Sequence, residues 1–141
     1  KFFEPGTELV VAKTPFGNIG LMVCYDLRFP ELALMLRAQG ANILTAPAAF
    51  THTTGQMHWQ LLLQARAMDS QCQVLGAAQQ GWHGEKRQTW GHAGATDSRG
   101  QILAIVETEG AQLITVPFDL QEQQHIRAAM PLMQHRQLVS F

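Results

Sequence analysis

The sequence predicts one α/β domain built on a mixed β-sheet, and three observations lead to that class. In the first half of the chain, apolar β runs alternate with amphipathic helical segments, as in sheets that contain parallel strands. In the second half, strands follow one another through tight turns, as in antiparallel pairs. A length of 141 residues with 46% hydrophobic and 15% charged residues suits a single domain with a sizeable core.

The first half predicts a hairpin, a helix and a buried strand. Residues 8–13 form a short β run, a turn follows at Pro15 and Gly17, and residues 19–26 form a run that is apolar on both faces. A tight hairpin from Glu8 to Cys24 is therefore expected. Pro30 suits the first position of a helix that ends near Gly40, and residues 41–50 form another buried strand, which Pro47 ends.

Residues 56–71 predict the strongest helix of the chain. Its apolar residues fall into two stripes at helical spacing. We expect one face to pack on the sheet and the other to meet a partner subunit or a second layer. The first stripe contains Met57, Leu61, Ala65 and Met68, and the second contains Trp59, Leu62, Leu63 and Arg66.

The second half predicts mainly antiparallel structure. Residues 72–80 form a strand, and residues 81–94 are expected to form a polar loop rich in Gly and His. The segment after it predicts two strands joined by a turn at residues 98–100. Residues 110–119 predict a last strand, and residues 120–130 predict a helix that Pro131 terminates.

Composition excludes several classes of function. The net charge of −1, with scattered Lys and Arg, gives no basic stripe for nucleic acid, and no apolar run approaches the ~20 residues of a membrane span. No signal peptide is evident at the start of the sequence, so the two cysteines, Cys24 and Cys72, are expected to be reduced thiols in the cytoplasm.

Cys24 is the candidate nucleophile, because it follows a buried strand and precedes a helix. Open α/β sheets bind ligands at this position, and the backbone N–H of Tyr25 is placed to stabilise an oxyanion. The alternative is a packed core thiol, since free cysteine is among the most buried residue types. A nucleophilic thiol also needs a base or a cation. Asp26 carries the wrong charge for this role, and none of the three lysines is obviously near.

The segment "CYDLRFPEL" resembles the nitrilase superfamily of carbon-nitrogen hydrolases, in its Nit branch of small-amide amidases. "GANILTAPAAFTHTTGQMHWQLLLQARAMDSQCQVLGAAQQGWH", "GHAGATDSRGQILA" and "AAMPLMQHRQ" are similar to later sections of that branch. The resemblance implies a four-layer α-β-β-α sandwich that pairs through its helices into a homodimer or a higher homo-oligomer. Residues 1–141 are expected to be one partial domain, the C-terminal half of that sandwich.

The resemblance also implies a catalytic Glu, Lys and Cys that hydrolyse an amide through a thioester, with no cofactor. Cys24 matches the nucleophile and the Tyr25 N–H matches the oxyanion position, whereas the Glu and the Lys are expected upstream of Lys1. The chain alone is therefore expected to be inactive. Arg28, Phe50 and Thr54 match substrate-binding positions. Arg28 has an internal ion pair with Asp26 or Glu31 as its alternative, and Phe50 has core packing.

Small-molecule amides of the ω-amido α-keto acid class, deaminated glutathione foremost, are the expected substrates. The sequence departs from the branch in small ways, at "QARAMD" and "GHA", and these bear on substrate choice. A non-catalytic relic or assembly partner that keeps the dimer-forming helices is the competing hypothesis. A papain-like or phosphatase cysteine fails on pattern.

No metal site and no nucleotide cofactor are expected. His52 and His58 lie six residues apart and His83 and His92 lie nine apart, without the ligand spacing of a zinc site. No Gly-rich phosphate loop is present. His58 is expected to pack in the core or an interface, and Cys72 is expected to be structural, with no polar activator beside it.

Overall fold

A computed structural model describes residues 4–108 and 110–137. Within those ranges the chain forms eight strands, four α-helices and one short 3-10 helix, which spans Cys24–Arg28. The strands are β1 (Val11–Thr14), β2 (Gly17–Leu21), β3 (Ile43–Thr45), β4 (Gln73–Gly76), β5 (Gln80–His83), β6 (Arg87–Trp90), β7 (Gly94–Thr96) and β8 (Ile102–Ile105). The helices are α1 (Pro30–Ala38), α2 (His52–Ser70), α3 (Leu120–Ala129) and α4 (Leu132–His135).

Six of these strands form one mixed sheet in the order β1-β2-β3-β4-β7-β8. Strands β2, β3 and β4 are parallel, whereas the pairs β1–β2, β4–β7 and β7–β8 are antiparallel. The parallel strands need long crossovers, which α1 and α2 provide, and the two hairpins, β1–β2 and β7–β8, need only short turns. The mixed-sheet α/β class that the sequence predicts is confirmed.

The core lies between this sheet and the pair α1 and α2, which cover one of its faces. The register places Gly20 opposite Leu44 and Leu44 opposite Val74, so these residues share the face toward the helices. Leu44 and Val74 are fully buried there. At the end of β4, Gly76 allows the Trp59 ring of α2 to approach the strand closely.

Helix α2 is longer at its start than the sequence predicts. It begins at His52, because the Gly55 N–H donates to the Thr51 carbonyl at 2.7 Å and so adds a turn before Gln56. It ends where Gln71 adopts a left-handed φ of 52°. Across the described ranges, no helix combines the length and the apolarity that a bilayer crossing requires.

The two apolar stripes of α2 have different surroundings. Trp59 and Leu63 are buried against the sheet, which confirms that one face packs there. Members of the other stripe lie on the surface: Met57 is 59% exposed, Leu61 65% and Met68 53%. Contact of this stripe with a partner subunit stays a prediction.

The predicted hairpin between Glu8 and Cys24 is present, but its second strand is shorter. β2 ends at Leu21, and the chain then leaves the strand geometry at Cys24, where φ is +49°. Hydrogen bonds to the neighbouring strand nevertheless continue past Leu21, since the Met22 N–H donates at 3.0 Å to the carbonyl of Thr45, the last residue of β3. Cys24 therefore lies past the strand, in a turn.

Residues 81–94 are not the predicted polar loop. β5 and β6 form a hairpin here, with Gln80 opposite Trp90 and Trp82 opposite Gln88. The turn between them has Gly84 at φ +67°. The many Gly and His residues obscure the β propensity of the Trp and Thr residues in this segment, and that misled the prediction.

The predicted strand at residues 110–119 is also wrong, since no strand forms in residues 110–119. A strand requires a ladder partner, and this segment contacts the sheet through a side chain instead: Gln73 Nε2 donates to the Pro117 carbonyl at 3.0 Å. Pro117 has no N–H to offer a ladder. Leu113 is 92% exposed, so the apolar pattern here does not mark burial.

Substitution of Gly76 by Ala is expected to destabilise the chain by about 1–3 kcal/mol, because the new methyl group overpacks the core. A Cβ at Gly76 would lie 2.7 Å from the Trp59 ring and 2.9 Å from Leu63 Cδ2. Urea unfolding followed by tryptophan fluorescence measures the change. Gly6→Ala is the matched control, since a Cβ there meets nothing within 4 Å. Equal stability of both variants would contradict the close approach of α2 to β4.

Candidate active site

The candidate site lies where the carboxyl ends of the three parallel strands meet. The segments after the strands remain tied to each other by backbone hydrogen bonds. The Cys24 N–H donates to Pro47 O at 2.9 Å, and the Ala48 N–H donates to Ala77 O at 2.8 Å. Ligands of open α/β sheets bind at this edge. The backbone therefore fixes Cys24 at the position where the sheet can present a reactive group.

Cys24 occupies a strained backbone conformation. Its φ of +49° lies in the left-handed region, which costs a residue with a Cβ about 1–2 kcal/mol. The strand-to-helix turn around it resembles the nucleophile elbow of hydrolases, where a similar turn lifts the reactive atom out of the backbone. The side chain is half-buried. Part of the side chain packs against the hydrophobic core, and the remainder borders the cavity described next.

Cys24 lines an open cavity of about 500 Å³. No lining residue other than Cys24 carries a titratable side chain in the described part of the chain. The described lining of this cavity therefore contains no base for the thiol. The lining residues are Val23, Cys24, Pro47, Ala48, Ala49, Ala77, Ala78 and Gln79.

The turn after Cys24 determines which polar groups face the cavity. Asp26 is directed back along the chain, since its Oδ2 accepts from the Val23 N–H at 2.8 Å. Among the described residues, no acceptor takes the N–H of Tyr25. The Tyr25 ring is 64% exposed and meets Phe29 edge-on at 5.7 Å. A free backbone donor thus lies next to the thiol.

Arg28 is held beside the site by an imidazole and two aromatic rings. Its Nη2 lies 3.2 Å from His58 Nδ1, and its guanidinium lies 5.7 Å from the Tyr25 ring centre and 5.5 Å from that of Phe50. Ion pairs with Asp26 or Glu31, the alternative for Arg28, do not occur within residues 4–108 and 110–137. The positive charge of Arg28 is therefore oriented but not neutralised.

Phe50 and Thr54 are not among the cavity-lining residues, and Phe50 lies beside Arg28 instead. Phe50 is 8% exposed and packs edge-on against Trp59, with ring centres 5.1 Å apart. Thr54 lies in the first turn of α2, where its hydroxyl bonds to that of Thr51 at 3.1 Å. The structure thus places Cys24 in the cavity lining, with the Tyr25 N–H one residue further along the chain, and it brings Arg28 beside both His58 and Phe50.

Two residues of this region were not singled out for the site from the sequence. His58 was expected to pack, and it contacts Arg28 instead. Its spacing of four residues from Thr54 on α2 places both on one face of the helix, and this signal was available in the sequence. Gln79 lines the cavity because its N–H donates to Ala48 O at 2.9 Å, a pairing that no sequence pattern reveals.

Cys72, the second thiol, lies at the opposite edge of the sheet and is fully buried, as a structural residue should be. Burial raises the pKa of the Cys72 thiol, although a hydrogen bond to Ser70 and the charges of Arg127 and Arg37 oppose the rise. The expectation of no polar neighbour is wrong, since Arg127 Nη2 lies 3.3 Å from the sulfur. Arg127 follows Cys72 by 55 residues, so only the fold brings them together.

Comparison with known proteins agrees with this geometry. The family model of the carbon-nitrogen hydrolases matches residues 1–128. The chain is 48% identical over 138 residues to deaminated glutathione amidase of Yersinia enterocolitica, covering 98% of this chain and 48% of that protein. It is 47% identical over 136 residues to deaminated glutathione amidase of Mus musculus, covering 96% of this chain and 42% of that protein. The chain thus spans about half the length of the curated relatives it matches, or less.

Solved structures show the same fold. The C. elegans NitFhit protein superposes with a TM-score of 0.87 at 41% identity, over 96% of this chain and 33% of that one. An amidase mutant from Nesterenkonia sp. AN1, with the acetamide moiety of fluoroacetamide added covalently at its active-site cysteine, superposes with a TM-score of 0.67 at 28% identity, over 74% of this chain and 39% of that one. The resemblance in the sequence motifs is confirmed: the chain belongs to the carbon-nitrogen hydrolase family, the nitrilase superfamily.

Proposed function

We propose that this chain carries the nucleophile of an amidase and that Cys24 attacks the carbonyl carbon of a small linear amide. The observation that carries the proposal is the position of Cys24, in a strained turn at the carboxyl edge of the parallel strands and open to a cavity. The covalent adduct on the active-site cysteine of the Nesterenkonia amidase mutant supports the same role here.

The proposed reaction proceeds through a thioester. The Cys24 thiolate adds to the amide carbon, and the carbonyl oxygen becomes an oxyanion that the Tyr25 N–H stabilises. The C–N bond then breaks, and the nitrogen takes a proton from a general acid and leaves as ammonia. Water next adds to the thioester as a base removes its proton. The C–S bond breaks, and the products are a carboxylate and the free thiolate.

The proton-transfer groups are proposed to come from outside these 141 residues. The Cys24 cavity has no carboxylate or ammonium group in its described lining, and a thiol with a pKa near 8.5 is only a few per cent ionised at neutral pH without help. A Glu as general base and a Lys beside the oxyanion, as in the family, would complete the site. We therefore propose that residues 1–141 form a partial catalytic domain, inactive alone.

For the substrate we propose deaminated glutathione or a similar ω-amido α-keto acid. The names of the curated relatives support this class. Arg28 is proposed to pair with a substrate carboxylate, because a planar guanidinium without an acidic partner suits that group. Phe50 and Thr54 are proposed to border the acyl channel, with Phe50 offering only the small part of its ring that is not buried.

The competing function is a non-catalytic assembly partner, for which the exposed stripe of α2 would supply the contact surface. Met57, Leu61 and Met68 offer an apolar surface of the kind that homo-oligomers bury. This surface is equally compatible with an active homodimer or higher homo-oligomer, which we propose for the enzyme as well. We also propose that the protein is located in the cytoplasm, because its two cysteines, Cys24 and Cys72, are free thiols and the cytoplasm is reducing.

Iodoacetamide is expected to modify Cys24 in the native chain and to leave Cys72 unmodified. Cys24 faces an open cavity, whereas burial shields Cys72 and raises its pKa, so its reactive thiolate is scarce. Mass spectrometry of the intact chain should show one adduct under native conditions and two in urea. Native labelling of Cys72 in preference to Cys24 would contradict the assignment of the nucleophile.

The chain alone is expected to release ammonia from deaminated glutathione no faster than its Cys24→Ala variant, because the described lining of the Cys24 cavity contains no base. The protein encoded by the complete gene is expected to release ammonia readily, and there Cys24→Ala should lower kcat by roughly 10,000-fold or more. Coupled detection of ammonia measures both rates. If the complete protein releases none, the non-catalytic function is correct, and Cys24-dependent turnover by the chain alone would overturn the proposal of an external base.

His58→Leu in the complete protein is expected to raise KM for a carboxylate-bearing amide about five- to tenfold with little change in kcat, since loss of one hydrogen bond frees Arg28 to turn away. His58→Asn keeps an acceptor and is expected to restore much of the affinity. A simple amide without a carboxylate serves as the control substrate. If KM rises equally for both substrates, Arg28 does not bind the carboxylate.

A further inference from the structure

A second cavity lies at the opposite edge of the sheet from Cys24. It occupies about 220 Å³ beside the segments that lead into the amino ends of β3 and β4. Helices α1, α3 and α4 contribute its walls, and Arg37 and Arg127 are its charged residues. The lining residues are Arg37, Gln71, Arg127, Ala128, Pro131, Leu132, Met133 and Gln134.

Arg127 is fixed in this cavity entirely by neutral groups. Its Nε donates to Gln71 O at 3.1 Å, and its Nη2 donates to Ala41 O at 3.1 Å and contacts the Cys72 sulfur at 3.3 Å. These contacts hold the guanidinium plane in one orientation. Within residues 4–108 and 110–137, no carboxylate pairs with its positive charge.

Arg37 adds a second positive charge to the same place. It lies in the last turn of α1, and its Nε is buried with no hydrogen-bond partner in the described part of the chain. Burial lowers the pKa of Arg127, and the nearby charge of Arg37 lowers it further. The two guanidinium groups therefore repel each other across the cavity.

No acidic group of the described residues offsets this charge. The ion pairs within residues 4–108 and 110–137 join Arg66 to Asp69, and Glu122 to Arg99 and His125. The Cys72 thiol does not serve as the counterion, because burial raises its pKa and keeps it neutral near pH 7. An unneutralised, partly buried charge is destabilising, so two of them in one small cavity call for an anion.

We propose that Arg37 and Arg127 form a binding site for a small oxyanion group, a phosphate or a carboxylate. A guanidinium pair offers such a group several charge-assisted hydrogen bonds, and the buried Arg37 Nε supplies a donor that is otherwise unused. The cavity is confined by α4 on one side, so it suits the anionic end of a ligand rather than a large body. The site is separate from the Cys24 cavity and does not depend on the proposed amidase function.

Titration with inorganic phosphate tests the proposal, at constant ionic strength maintained with chloride. The chain is expected to bind one phosphate with a Kd on the order of 1 mM, measured by calorimetry and by the rise of its Tm. Arg37→Met, which keeps an unbranched apolar side chain and removes the guanidinium charge, is expected to weaken binding at least tenfold. Arg87→Met is the matched control: Arg87 is exposed on β6, and its variant should bind within twofold of the parent.

Titration with acetate under the same conditions distinguishes a phosphate ligand from a carboxylate ligand. Saturable binding of phosphate that Arg37→Met abolishes supports the site with phosphate as its ligand, and the same result with acetate supports a carboxylate. Absence of saturable binding for both ions overturns the proposal, as does binding that Arg37→Met leaves unchanged. Arg37 is substituted in preference to Arg127 because Arg127 also holds two backbone carbonyls and its loss is expected to unfold this edge.

Discussion

Backbone hydrogen bonds continue to join the chain segments that follow β2, β3 and β4. The position of the Cys24 thiol depends on these additional hydrogen bonds. Beyond the last ladder residues, backbone bonds still join the Cys24 N–H to Pro47 O and the Ala48 N–H to Ala77 O. These bonds hold the three loops in register, so that the turn at Cys24 is supported by the whole parallel sheet. A left-handed cysteine persists only where its surroundings impose it, and these bonds impose it here.

The packing of α2 also fixes the side chains of the residues near the Cys24 thiol. Trp59 is almost completely buried, its Nε1 donates to His92 O at 2.6 Å, and its ring meets Phe50 edge-on. Phe50 is fixed by its contact with Trp59. The guanidinium of Arg28 therefore contacts a fixed aromatic ring as well as the His58 imidazole. The packing of Trp59 in the core thus helps to determine the orientation of the half-buried Arg28 guanidinium.

The sequence predicts those parts of the fold in which local chemistry decides the outcome. α1 starts at Pro30, as its fixed φ and missing N–H require, and α3 begins after Asp119, whose side chain accepts from the Glu122 N–H. The first hairpin is equally local, since Thr14 pairs with Gly17 across its turn. Periodicity and capping signals suffice for such elements.

Long-range partners decide the parts that the sequence does not predict. Residues 110–119 have the apolar pattern of a strand but no ladder partner in the described structure, and residues 81–94 have a polar pattern but pair as a hairpin. The site shows the same division. The strand-turn-helix motif places Cys24, whereas the contact of Arg28 with His58 and that of Arg127 with Cys72 join residues 30 and 55 positions apart.

The carboxyl and amino edges of the sheet differ in the charged and titratable groups that they hold. At the carboxyl edge, the described cavity lining contains the Cys24 thiol and no other titratable side chain. At the amino edge, the carbonyl groups of Ala41 and Gln71 precede the strands and attract the donors of Arg127. Carbonyl dipoles can orient a guanidinium without cancelling its charge. The backbone carbonyl groups therefore hold the Arg127 guanidinium at the amino edge of the sheet. Backbone hydrogen bonds likewise hold the Cys24 thiol at the carboxyl edge.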